Sequence, residues 1–142
     1  MKYIRETTLA GILLIGFAHG EQNKNPLIGE WKLKKLEGVK YDVAAKMKVF
    51  WTFDKSEVVV TATDTREEAS RMTYVIDTSK TPHWITANVS DSLTGNKKDK
   101  RLGIFRFVGD ELHIKWEIKD GGARPTKFTE GRVAKFTRTP KK

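Results

Sequence analysis

The stretch Leu102 to Trp116, LGIFRFVGDELHIKW, limits the possible folds more than any other part of the chain. Two β-forming runs flank Gly109-Asp110. Glycine tolerates positive φ, so this dipeptide suits a two-residue hairpin turn. Closing the turn pairs Val108 with Glu111, and every later pair follows. Phe107 then meets Leu112, Phe105 meets Ile114 and Gly103 meets Trp116 on one face. Arg106 meets His113 and Ile104 meets Lys115 on the other. The first face is apolar and the second mostly polar. A slip of one residue would turn every side chain over, so the register is strongly specified. Gly103 opposite Trp116 leaves room for an indole. The pattern predicts an antiparallel sheet with one dry and one wet face.

The same period of two recurs along the chain. Trp31 and Leu33 alternate with Lys32 and Lys34, until Lys34-Lys35 forces the strand to bulge or end. Glu37 to Lys40 reads as a turn, and Tyr41 to Lys46 as one helical turn at an end of the sheet. Met47 to Asp54 places Met47, Val49, Trp51 and Phe53 on one face, with Lys48, Phe50 and Thr52 opposite. Glu57 to Thr63 is a β-branched strand, and Asp64 to Ser70 a charged connection. Arg71 to Asp77 turns Met72, Tyr74 and Ile76 inward; His83 to Val89 does the same with Ile85, Ala87 and Val89. Ser90 to Lys100 reads as a polar loop, Asp120 to Gly131 as irregular, and Arg132 to Thr139 as a closing strand. Eight short strands at this spacing predict an all-β fold, an eight-stranded antiparallel up-and-down β-barrel, because closure removes the sheet edges.

The first twenty residues read as an export leader. Lys2 and Arg5 precede the apolar run Leu9 to Phe17, and Ala18-His19-Gly20 supplies small residues at a cleavage site. The run is too short for a membrane span, which needs about 20 apolar residues. Cleavage after Gly20 leaves a linker, residues 21–26, a barrel domain, residues 27–139, and a basic tail, residues 140–142. The mature chain is expected to be secreted or periplasmic, monomeric and without a transmembrane segment. The chain has no cysteine, which excludes disulfides and thiolate chemistry. With 38% hydrophobic residues over 142, packing alone can hold one domain.

Several features together invite a family comparison. Gly29-Glu30-Trp31 resembles the Gly-x-Trp signature that opens lipocalins. With the hairpin GIFRFVGDELHIKW, then Gly121-Gly122-Ala123-Arg124-Pro125 and Phe128, it resembles a family of secreted lipocalin-like domains of unknown function, the Planctomycetes type. The elements run in the family's order from Gly29 to Phe128. Phe105 departs where Tyr is common, and Trp116 where a small residue is. The resemblance implies a lipocalin-like barrel and export, and no established activity. It also implies that Trp31 plugs the closed end of the barrel beneath an Arg of the last strand, Arg138 or Arg132.

The inward aromatics Trp51, Phe53, Tyr74, Phe105 and Trp116 are the candidates for lining a ligand cavity, with the Tyr74 hydroxyl orienting a guest. The same rings would equally fill a solid core. Arg124 before Pro125 is a candidate anion contact, or a turn residue paired with Asp120 or a carbonyl. His83 and His113 stand at no metal-ligand spacing, and no catalytic constellation is visible, so neither an enzyme nor a cofactor is expected. The formal charge is +9, with Lys32, Lys34, Lys48, Lys97, Lys98, Lys100, Arg101, Arg106 and Lys115 placed on outward faces or loops. A basic face of this kind suits a polyanionic or protein partner. Sequence-specific nucleic-acid binding is not expected, because the aromatics alternate inward and, apart from Phe50, leave no stacking platform. Two functions follow: a carrier of a small hydrophobic molecule, or an interaction module with a solid core and a basic face. Asn88-Val89-Ser90 matches a glycosylation sequon.

Overall fold

The computed structural model describes residues 24–40, 42–62, 67–90, 98–117, 122–129 and 131–140. The leader expected over residues 1–20 lies outside the described residues, as do most of the loop expected at 90–100 and the C-terminal dilysine. The chain is all-β. Eight strands, β1 Gly29–Glu37, β2 Val49–Phe53, β3 Glu57–Ala62, β4 Glu67–Asp77, β5 His83–Ser90, β6 Lys98–Val108, β7 Glu111–Trp116 and β8 Val133–Arg138, close a barrel in sequence order. Every neighbouring pair is antiparallel, and β8 pairs back onto β1. One short helix, α1 Val43–Lys46, stands between β1 and β2, where Asp42 caps it by accepting from the Ala45 amide.

The β6–β7 hairpin has the register that its turn dictates, from Val108 opposite Glu111 to Gly103 opposite Trp116. Gly109 takes φ +62° at the turn. A Cβ on Gly103 would sit 2.7 Å from the Trp116 ring, so the glycine is required by the indole. The Lys34-Lys35 break is a β-bulge: the ladder to β8 shifts between Leu33 and Lys35, and β1 continues to Glu37. Two boundaries move. β4 begins at Glu67, inside the expected connection, and β6 begins at Lys98, inside the expected loop. Long antiparallel partners extend both strands past the point where alternation of apolar residues stops.

The wet and dry faces of the hairpin are a correction. Ile104, His113 and Lys115, expected on the wet outer face, are buried, at 0%, 3% and 4% exposure. Phe107, expected on the dry face, is 39% exposed at the barrel rim. The physical reason is the segment after β7. Arg124 donates to Ile85 O at 2.9 Å and Gly103 O at 2.7 Å, and to the Thr86 hydroxyl at 2.8 Å. Its guanidinium lies 4.4 Å over the Trp84 ring. Four residues on, Phe128 stacks on Arg106 at 4.1 Å. Residues 122–129 thus form a strap across the outside of β5 and β6. Phe50 is a second correction: it points outward yet is buried, so it offers no exposed stacking surface.

Candidate functional site in the barrel

The two ends of the barrel differ. At one end Trp31 is buried, and its indole N–H donates to Leu27 O at 2.9 Å. The Arg138 guanidinium lies 4.2 Å over the Trp31 ring and donates to Ile28 O and Pro26 O, at 2.9 and 3.1 Å. A cation over an indole is worth about 0.5–2 kcal/mol. A Cβ on Gly29 would meet the Arg138 guanidinium at 2.5 Å, so Gly-x-Trp is needed for the clamp to close. Of the two arginines considered for this place, Arg138 fills it, because it pairs directly with Trp31 across β1 and β8.

Beneath the clamp, Phe53 meets Tyr74 edge-on at 5.2 Å, and Phe105 meets Phe107 edge-on at 6.0 Å. Phe53 and Phe105 are fully buried. The Tyr74 hydroxyl donates to Asp54 O and accepts from Asn25 Nδ2 at 2.6 Å. Both of its hydrogen-bonding roles are therefore filled within the fold, and burial pushes its pKa up. Phe53, Tyr74 and Phe105 belong to the plug at this end, and Tyr74 is not free to orient a guest.

The other end is open. A cavity of about 550 Å³ lies there, walled by Leu33, Leu36, Trp51, Ile114, Trp116 and Phe136. That volume falls in the usual range for small-molecule sites, roughly 300–1,000 Å³. Trp51 lies 6.4 Å from Trp116 and 5.3 Å from Phe136, so three rings line one space. The five candidate cavity residues therefore divide: Trp51 and Trp116 line the cavity, and the other three do not.

The remaining lining residues are Gly38, Arg101, Glu117, Gly131, Arg132 and Ala134. The turn after β1 and the chain entering β8 touch here: a Cβ on Gly38 would stand 2.4 Å from Gly131 O, and both glycines have positive φ. Arg101, expected outside, is opposite the inward Ala87, and its Nε lies 3.3 Å from the buried Glu117 carboxylate. Arg132 is exposed at the rim. The inward alternation of Ala134 and Phe136 on the last strand was available as a signal for this wall. Nothing local marks which end of a barrel stays open.

Arg124 lies outside the barrel, with its donors engaged by carbonyls and Thr86, and desolvation lowers its pKa. It clamps the strap rather than facing a cavity. On the same outer face, Arg106 Nε donates to His113 Nδ1 at 3.2 Å, which leaves His113 Nε2 to donate to Glu111 at 3.0 Å. Glu111 also accepts from Lys34 Nζ. His113 and Lys34 together pull the Glu111 carboxyl down to about 2. The described residues of this relay include no hydroxyl or thiol partner for the imidazole, and it ties β1, β6 and β7 together. Among the described residues no helix is long and apolar enough to cross a membrane. No family model, curated protein or solved structure matches this chain.

Proposed function

We propose that this chain is an exported, lipocalin-like carrier that holds a small apolar molecule in its barrel. The observation behind the reading is the asymmetry of the interior. One end is sealed by Trp31 and Arg138, while the other keeps a cavity of about 550 Å³ faced by Trp51, Trp116 and Phe136. A solid core would have filled that space with side chains, since interiors pack close to crystal density. The leader-like start at residues 1–20 supports export. Native mass spectrometry of the mature protein from its own cell envelope or medium tests the reading. An extra mass released on denaturation is expected. A bare polypeptide mass that stays unchanged after incubation with fatty acids and isoprenoids overturns it.

A second reading, an interaction module for a polyanionic or protein partner, has one observation in its favour. Lys32, Lys35, Lys40 and Lys46 stand exposed on β1, the turn after it and α1. It requires a partner affinity that falls steeply with salt.

A further inference from the structure

We infer that the ligand of this cavity is an amphiphile with one anionic head, held at the mouth by Arg132 with Lys115 behind it. The inference rests on the carrier reading above and names the class of molecule carried. Its basis is the charge around the rim. Arg132 lines the cavity, is exposed, and has no acidic partner among the described residues. Lys115 is 4% exposed, and its Nζ has no hydrogen-bond partner among the described residues. That amine lies against Gly131, where an added Cβ would stand 3.0 Å from Nζ, and Gly131 itself lines the cavity. A lysine is seldom buried without a partner, because desolvating its charge is costly. Among the described residues the one carboxylate that lines the cavity, Glu117, already faces Arg101. Among the described residues, Arg101 and Arg132 on the wall and Lys115 behind Gly131 outnumber the one lining carboxylate, which leaves a positive excess where a guest's head would emerge. A carboxylate or phosphate monoester there would offset that excess, while its hydrocarbon lay against Trp51, Trp116 and Phe136. The protein's net charge of +9 also favours the approach of an anion.

Titration of tryptophan emission with hexadecanoate, hexadecyl phosphate and hexadecanol, all of one chain length, tests the inference. One charge-assisted contact corresponds to a preference of about tenfold for the anions over the alcohol. The tighter of the two anions identifies the head group. Arg132→Gln and Lys115→Met should each bring the anion-to-alcohol ratio down several-fold. Arg132 is exposed, so its replacement keeps the test intact should Lys115→Met fail to fold. Equal binding of alcohol and anions overturns the inference and leaves the carrier reading standing. A preference undiminished in Arg132→Gln overturns the placement of the head. No binding by any of the three overturns both.

Discussion

Single residues in this barrel act through what they exclude or hold in place. Gly103 is the clearest steric case. Its backbone needs no positive φ, yet a Cβ would meet the Trp116 ring at 2.7 Å and Lys115 O at 2.9 Å. Gly103→Val is therefore expected to lower stability by about 1–3 kcal/mol through overpacking, measured by urea unfolding. Gly109→Ala meets nothing within 4 Å and should cost only the strain of a positive φ, about 1–2 kcal/mol. Glu111 is the clearest electrostatic case. Its folded pKa, about 2, lies below the ordinary value of 4.5. The bonds that depress it contribute stability that is complete above the ordinary value and is lost as pH falls towards the folded one. Asp54, Asp77, Glu37 and Glu68 are shifted in the same direction. Stability should fall as pH drops below about 5, and Glu111→Gln should be less stable at neutral pH with a shallower acid slope. Parallel slopes for the two proteins in urea midpoints from pH 3 to 7 would refute this role of Glu111.

Among the elements, the strap over residues 122–129 changes how the sheet beneath it reads. A hairpin with Arg106, Ile104, His113 and Lys115 on one face looks wet when only its own strands are considered. The strap covers that face because Arg124 reaches the carbonyls of two different strands, Ile85 on β5 and Gly103 on β6. Arg124→Ala removes a charged donor from three acceptors and should cost about 2 kcal/mol. Arg124→Lys should restore little of this, since one ammonium lacks the planar fork that serves both strands. Hydrogen exchange provides the readout: amides around residues 102–106 and 113–117 should exchange faster in both variants. Unchanged protection there would mean that the strap is held by Phe128 and Arg106 instead.

At the scale of the whole molecule, closure is decided by β1 pairing with β8, and the contents of the barrel by its two ends. Ala134 lies on the wall of the cavity. Ala134→Leu should fill part of that space, keep or raise stability by about 1 kcal/mol, and abolish ligand-dependent changes in tryptophan emission. Retained binding would place the ligand elsewhere. Much of this architecture was legible in the chain. The eight strands, the helical turn and the bulge at Lys34-Lys35 follow from period-two alternation and its interruption, which are local properties. The hairpin register follows from one turn, because a two-residue loop leaves no freedom in pairing. Part of the site was legible too: Trp51 and Trp116 are inward by alternation, and they do face the cavity. The strap was not legible, since Arg124 acts on residues 21 and 39 positions away. Alternation also cannot distinguish a ring that fills the barrel from one that borders empty space: Phe105 and Trp116 lie on the same face of one hairpin, one in the plug and one at the cavity. By itself, then, the sequence determined the number and order of the strands, the inward face of their apolar stretches and how the central hairpin pairs, because backbone geometry and turn chemistry act over a few residues. Only the tertiary structure decided which end stays open and which polar face is covered, because those depend on contacts between segments far apart in the chain.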